Sequence, residues 1–373
     1  MGENGAAPEV TVRLARTAEQ RELFASLCYE IYVAEMNMFS AVADHLARRL
    51  GDADDERSEL LIAYAGSQPA GVMRLTFGAD GPFPADFLDA YGMDDFLAVV
   101  SRRAMMVLTR FVVRRIHRRT AVPFALIVEA ARIGAGRGIE LAFCDCQPHL
   151  INLYQSLGFR PYRHTYNHPH FGLMVPLVFL AGDGDYLRQA GSPLLGTVID
   201  AAAPTSELAR QVAGMLPSRP PVRSLEHVLN YDWSAEIETA VTGQALRVFQ
   251  GLDPSQLAEV LAHSHIIDVA PGDYLIRQGQ VTRTMYVLLG GELQYWPGQK
   301  HLADAEVGEI AGDVAFLLRT SRTINVIAGP AGARVLSLNE PALQTVMESH
   351  SRTAAILLLN LCRMLAARVA AHS

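Results

Sequence analysis

Three stretches decide the fold of the second half of this chain: PGDYLIRQGQ (271–280), MYVLLGGELQYW (285–296) and GDVAFLLRTSRT (312–323). They are short strand-like runs, and Gly272, Gly279, Gly290, Gly291, Gly308, Gly312, Gly329 and Gly332 punctuate the region. The first carries a Gln-Gly turn, and the second reads as a hairpin turning at its glycine pair. Helices bracket the region, near 254–263 and over 340–371. In the second helix Leu357, Leu358, Leu361, Leu365 and Val369 stand close to heptad spacing. It either packs on its own barrel or forms the seam of a homodimer.

Upstream, residues 186–245 are rich in Ala, Pro and Ser, with SRPP at 218–221. That composition predicts a helical, loop-rich connector, placed at 196–245, between a domain at 9–195 and one at 246–373. The N-terminal domain has α/β character. After a disordered lead at 1–8, VTVRLA (10–15) reads as a strand and 18–50 as helical. LLIAYA (60–65) and AGVMRLTF (70–77) form a hairpin about Gly66 and Ser67, and MVLTRFVV (106–113) is a further strand. A basic loop, RRIHRRT (114–120), leads into a helix over 122–137, then a strand over 139–146 and a short helix over 148–159 ending at Gly158.

From Phe249 to Leu365 the sequence resembles the cyclic-nucleotide-binding domains of catabolite-activator and kinase regulatory proteins. FQGLDPSQLAEVL supplies the opening helix, the Pro-Gly-Asp stretch the first strand, and 312–323 the phosphate-binding cassette. In such a cassette a short helix N-terminus presents amide N–H groups to a phosphate, an arginine pairs with it, and an acid accepts a ribose hydroxyl. The resemblance assigns these roles to Gly312, Asp313, Val314, Ala315, Arg322 and Thr323, with cAMP or cGMP as the effector. The chain departs from the family at Asp313, where Glu is usual, at Phe316 and Leu317, and at Ala311, where Phe is usual. A cyclic dinucleotide, or a β-roll that only packs on its neighbour, stays open as an alternative. No helix-turn-helix pattern follows the roll in this sequence, so a transcription factor is not expected.

Residues 10–195 resemble GCN5-type N-acyltransferases, in the branch of autoinducer synthases and long-chain N-acyl amino acid synthases. The resemblance rests on CYEIYVAEM (28–36), Asp52 and Asp55, Gly71-x-x-Arg74-Leu75, Thr109-Arg110-Phe111-x-Val113, LYQSLGFRPY (153–162), HPHFGLMVP (168–176) and SPL (192–194). It implies an α/β domain with a mixed sheet flanked by helices, in which two splayed strands offer backbone N–H groups to a thioester carbonyl. Tyr154 would protonate the leaving thiolate, Glu35 act as base or network acid, and Arg74 and Arg110 hold an acceptor carboxylate or an internal network with the two aspartates. Phe111, Val112, Val113, Arg114, Arg118, Arg119 and Thr120 would bind the acyl donor, either acyl-CoA or an acyl carrier protein. The usual glycine-rich pyrophosphate loop is replaced by RRIHRRTAV, which favours the acidic carrier protein, and Val107 stands where the autoinducer branch has Glu. A long acyl chain would need a tunnel lined by residues such as Phe111, Phe124, Ile127 and Phe143.

The expected activity is therefore acyl transfer from a thioester to an amine, with an amino acid or similar small molecule as acceptor and a nucleotide as regulator. A non-catalytic sensor and a cyclic-nucleotide-regulated protein-lysine acetyltransferase are the alternatives. Composition agrees with two domains: 373 residues, half of them hydrophobic. A net charge of −7 argues against a general nucleic-acid binder. Four cysteines, no basic and apolar leader, and no apolar run of about 18 residues predict a cytoplasmic protein without a transmembrane segment. Cys144 and Cys146 with His149, His164, His168 and His170 read as core thiols and loop histidines, so no metal is expected.

Overall fold

The computed structural model describes residues 9–36, 38–218, 222–224, 246–261 and 264–371. The expected lead at 1–8 and the connector residues 225–245 lie outside them. The chain divides into two compact units that interleave in sequence. The first takes the chain through Asp145, then Tyr154–Arg160 and Leu177–Pro217; the second takes Cys146–Leu153, Pro161–Pro176 and the chain from Ser218 onward. The expected division into 9–195, a connector 196–245 and 246–373 thus differs from the observed one in the two short segments given to the second unit and in residues 196–217, which belong to the first.

The first unit is built on strands β1 (Val10–Leu14), β2 (Glu59–Ala65), β3 (Gln68–Phe77), β4 (Met105–Val113), β5 (Leu141–Cys146), β6 (Arg160–Pro161) and the latter part of β8 (Gly172–Leu180). Their order is β1-β2-β3-β4-β5-β8-β6. The sheet is mixed: β1 to β4 pair antiparallel, and β4 meets β5 in parallel. The helix Val122–Gly136 carries Pro123 in its first turn and buries Leu126, Ile127, Ala130 and Gly134. The helix Ala18–Cys28 starts in a capping box between Thr17 and Gln20 and passes into a π-helical stretch, Tyr29–Glu35. Helix does not continue to residue 50 as its periodicity suggests. Phe39 adopts a left-handed backbone (φ 58°), and Asp44 bridges to Arg49.

Strand β4 holds the local feature that matters for the site. Val72 pairs with Val112 but Arg74 pairs with Thr109, so Arg110 and Phe111 share one partner position on β3, and Arg110 has φ 53°. This is a β-bulge, with the extra residue left out of the ladder. Furthermore, β4 pairs with β5 only from Met105–Val107 to Leu141–Phe143, although β4 runs on to Val113 and β5 to Cys146. Beyond Val107 the two strands form a fork.

The second unit contains β7 (Tyr166–His168), paired with the first residues of β8, and a β-roll of β9 (Val222–Ser224), β10 (His265–Val269), β11 (Tyr274–Ile276), β12 (Thr284–Trp296), β13 (Ala303–Ala305), β14 (Ile310–Ala311) and β15 (Asn325–Asn339). Strand order is β13-β12-β15-β10-β9, with β11 on β15 and β14 on β12. The glycine pair 290–291 does not turn a hairpin: β12 runs straight through it, bulging at both glycines against β15. A Cβ on Gly291 (φ 78°) would collide with the Gly332 carbonyl, so the two long strands approach there as only glycine allows. Phe249, Val287, Phe316, Leu336, Leu357 and Leu361 share the core. The C-terminal helix is two helices, Glu340–Ser349 and Ser351–Ala371, parted at His350. By length and composition the second could cross a membrane, a feature the run-length reading of the sequence missed; its Ala354, Leu357 and Leu361 are buried in the core of the unit.

Candidate functional site

The nucleotide cassette is assembled where β14 gives way to the helix Asp313–Leu318. Gly312 makes the turn with φ 83°, and a Cβ there would overlap the Arg322 guanidinium. Arg322 is 3 % exposed. Its Nη1 donates to the Gly312 carbonyl at 2.5 Å, and its Nε and Nη2 donate to Thr282 Oγ1 at 3.1 and 2.8 Å. Nη2 also donates to the Thr284 carbonyl. Every one of these acceptors is neutral, and among the described residues no carboxylate pairs with Arg322. Burial of this cation pushes its pKa below the usual arginine value. Asp313 attracts this cation from beyond ion-pair distance, and an anion paired directly with it would compensate its burial further.

Asp313 is also buried, at 4 % exposed, but it has its own partner. Oδ1 accepts from the Val314 amide at 3.0 Å, and Arg368 Nη1 reaches Oδ1 and Oδ2 at 3.2 and 3.0 Å. Ala315 is buried, Val314 is exposed on the same short helix, and the Thr323 side chain faces solvent. The structure therefore brings Gly312, Asp313 and Arg322 together and adds Thr282 and Arg368. Sequence reasoning missed both. Thr282 lies 40 residues from Arg322 and Arg368 lies 55 from Asp313, so only the closed roll reveals them.

In the first unit a charge network lies against the fork. Arg74, 4 % exposed, gives Nη1 to Asp52 at 2.5 Å and to Asp55 at 2.8 Å, while Nε donates to Thr109 Oγ1 at 2.8 Å. Arg110, on the bulge, gives Nη2 to Asp52 at 2.8 Å and lies over the Tyr32 and Phe39 rings, at 5.9 and 5.1 Å. Its Nη1 is buried and has no hydrogen-bond partner among the described residues. Burial would raise the Asp52 pKa, yet the charges of Arg74 and Arg110 outweigh it and hold the carboxyl below its ordinary value. Burial pushes the nearby Cys28 thiol up to about 12, which makes it a core group and not a nucleophile.

The basic loop is more committed than its sequence suggests. Arg114 donates to the Pro69 carbonyl at 2.7 Å and pairs with Glu30 at 2.6 Å. Arg118 donates to the Val113 carbonyl at 2.9 Å and pairs with Glu35 at 2.7 Å. Glu35 is thus the counter-charge of a loop arginine. Thr120 Oγ1 donates to the His117 carbonyl and accepts the Val122 amide, which starts the helix behind it. Arg115 and Arg119 are exposed. Phe111 is half-buried on the bulge, with Val112 and Val113 buried beyond it. Tyr154 is half-buried on the helix Ile151–Ser156, edge-on to Phe159 at 5.6 Å.

Beside the fork lies an apolar cavity of about 30 Å³, lined by Met106, Leu108, Ile127, Ala131, Phe159 and Phe179 among others. Of the four tunnel residues expected from sequence, only Ile127 lines it. Phe124 is 44 % exposed, and Phe143 stacks in the core with Tyr91 and Phe96 at 6.3 and 5.5 Å.

Comparison with known proteins bears on the second unit. Residues 266–350 match the family model of the cyclic nucleotide-binding domain. The human cyclic nucleotide-gated channel beta-3 is 26 % identical over 117 residues, which cover 30 % of this chain and 14 % of the channel. The Drosophila melanogaster cGMP-dependent protein kinase, isozyme 1, is 29 % identical over 98 residues, covering 26 % of this chain and 13 % of the kinase. The chain thus spans a small fraction of the length of these curated relatives. Among solved structures, the Thermus thermophilus catabolite activator protein is 21 % identical, with a TM-score of 0.31, over 34 % of this chain and 59 % of that one. A candidate N-acetyltransferase from Lactobacillus plantarum is 14 % identical, with a TM-score of 0.33, over 46 % of this chain and 97 % of that one. The C-terminal β-roll of this chain is a cyclic nucleotide-binding domain, matched over residues 266–350.

Proposed function

We propose that this protein is an N-acyltransferase whose activity is set by a 3′,5′-cyclic nucleotide, cAMP or cGMP, bound at the Gly312–Arg322 cassette. The observation that carries the regulatory half is Arg322: a guanidinium 3 % exposed, beside the start of a helix, with only neutral oxygens as partners. A cyclic phosphate supplies a directly paired negative charge and can take both the guanidinium and the amides of that helix start.

The fork supports the catalytic half. Parting β4 from β5 beyond Val107 leaves strand edges facing a gap, the geometry in which backbone N–H groups polarise a thioester carbonyl. Next to it, Arg110 holds Nη1 buried and unpartnered, a donor suited to the carboxylate of an amino acid acceptor. Tyr154 is the candidate acid for the departing thiolate, and Arg115 and Arg119 are the exposed cations of the loop for a donor's phosphate, whether in acyl-CoA or in an acyl carrier protein. The amine attacks the thioester carbonyl, the C–S bond breaks, and the thiolate takes a proton as the amide forms.

The test is thermal unfolding of the full chain with cAMP, cGMP, cyclic di-GMP, acetyl-CoA and a long-chain acyl-CoA, each alone. A ligand that binds only the folded state at a hundred times its Kd adds about 2.7 kcal/mol. The expected result is a rise in Tm with cAMP or cGMP that Arg322→Ala abolishes, and a separate rise with an acyl thioester that Arg322→Ala leaves intact. No shift with any nucleotide overturns the regulatory reading; no shift with either thioester, together with no amide product from an acyl-loaded carrier protein and free amino acids, overturns the catalytic one and leaves a sensor.

A further inference from the structure

The stretch HPHFG (168–172), part of the acyltransferase resemblance, lies in the second unit: Pro161–Pro176 belongs there, while the chain from Leu177 belongs to the first. It forms the tip of the β7–β8 hairpin, and the tip is tied into one shape. His168 Nδ1 accepts the His170 and Phe171 amides at 3.1 and 3.2 Å, and Gln147 Nε2 donates to the Phe171 carbonyl at 3.0 Å. A Cβ on Gly172 would lie 2.7 Å from Gln280 Oε1, so the tip rests directly on the Gln280 side chain. Gln280 Nε2 is buried there with no hydrogen-bond partner among the described residues. Through its backbone the same residue holds the cassette arginine. The Arg322 amide donates to the Gln280 carbonyl at 2.8 Å, and the Gly279 amide donates to the Arg322 carbonyl at 2.8 Å. From the tip, β8 is buried along all of Gly172–Leu180. Near its far end Phe179 lines the apolar cavity beside the fork and lies 5.2 Å from Phe159, which meets Tyr154 at 5.6 Å.

We infer that the β7–β8 hairpin carries nucleotide occupancy from the cassette to the acyl site, with Gln280 as the contact that couples the two. This rests on the function proposed above. A phosphate that takes the Arg322 guanidinium draws it from the Gly312 carbonyl, Thr282 and the Thr284 carbonyl. The Arg322 backbone, bonded in both directions to Gly279 and Gln280, moves together with that turn. Because the hairpin tip lies against the Gln280 side chain, the displacement reaches Gly172. A strand buried over nine residues in a close-packed interior passes a displacement along its length, since there is little free volume to absorb it. Phe179 then shifts against Phe159, and the cavity wall and the candidate acid Tyr154 shift with it. The coupling is reciprocal: an acyl group that fixes Phe179 changes the affinity for nucleotide by the same factor. No covalent bond is made or broken in this exchange.

The experiment compares the full chain, wild type and Gln280→Ala, by three readouts. These are affinity for cAMP and cGMP, amide hydrogen exchange over residues 166–174, and affinity for a long-chain acyl thioester with and without saturating nucleotide. The thioester is offered as the CoA ester and as an acyl-loaded carrier protein. Gln280 is half-buried and its backbone bonds to Arg322 survive the substitution, so the variant is expected to fold and to bind nucleotide as wild type does. In wild type, nucleotide should change exchange over 166–174 several-fold and thioester affinity about 5-fold or more. In Gln280→Ala both changes should vanish. If nucleotide binds wild type and leaves exchange over 166–174 unchanged, or if Gln280→Ala keeps the full change in thioester affinity, the coupling route is wrong while the cassette reading stands. If Gln280→Ala loses nucleotide binding, Gln280 serves the cassette itself and the route is likewise wrong. If wild type binds no nucleotide, the cassette reading fails; if it binds neither thioester, the catalytic reading fails; the coupling falls with either.

Discussion

At Gly312 a single backbone angle joins fold to site. A φ of 83° is open to glycine and costly for any other residue, and the space where a Cβ would sit is taken by Arg322. Gly312→Ala is expected to destabilise the protein by about 1–2 kcal/mol, measured as a lower denaturation midpoint, and to remove the response to cyclic nucleotide as well. Arg74 plays the corresponding part in the first unit, binding two aspartates and Thr109 from a buried position. Arg74→Ala leaves those carboxylates without their main counter-charge and should cost about 3 kcal/mol at neutral pH. The sign with pH follows from Asp52, whose pKa is held below its ordinary value in the folded protein. Its contribution is full above the unfolded carboxylate pKa and is lost as pH falls through the folded value. The gap between wild type and Arg74→Ala in a urea series should therefore narrow below about pH 4 and be flat above about pH 5; a gap that stays constant into acid would mean the network contributes through packing alone.

At the scale of elements, the glycine-punctuated strands of the roll were legible because strand and turn signals are local. The hairpin at 60–77, the strand at 106–113 and the helix after the basic loop were legible for the same reason. What the sequence did not reveal depends on residues far apart. Nothing local distinguishes Gly290-Gly291 as a bulge from the same pair as a turn; the partner strand some 40 residues on decides it. Nothing local says that Arg114 and Arg118 turn back on Glu30 and Glu35, or that Arg110 sits on a bulge. Residues at heptad spacing in the last helix were likewise ambiguous, and Leu357 and Leu361 are committed to the core of their own unit. The apolar cavity beside the fork gives an element-scale prediction. Ala131, on the helix above β4, lines it, and Ala131→Leu would fill it with three further carbons. The variant should stay folded and lose the stabilisation given by an acyl thioester; equal stabilisation of variant and wild type would place the acyl group elsewhere.

At the scale of the whole molecule, each of the two units has its own buried charges, and the proposal assigns sensing to one and acyl transfer to the other. The second unit places the Arg322 cation, held by neutral oxygens, in the same cassette as Asp313, an acid paired with Arg368. The first unit uses its charges to fix β3, β4 and the turn between Asp52 and Asp55, and Arg110 Nη1 is among its buried guanidinium nitrogens without a hydrogen-bond partner among the described residues.

The interleaving of the two units has a consequence for how the protein is made. Cys146–Leu153 and Pro161–Pro176 belong with the roll, yet β10 does not begin until His265. On a ribosome adding about 5–20 residues per second, these segments emerge roughly 5–20 seconds before the strands they pack with. Nascent chains should thus pass through a stage in which Cys146–Leu153 and Pro161–Pro176 are synthesised and most of their unit is not, a window in which chaperone occupancy bears on how much protein survives.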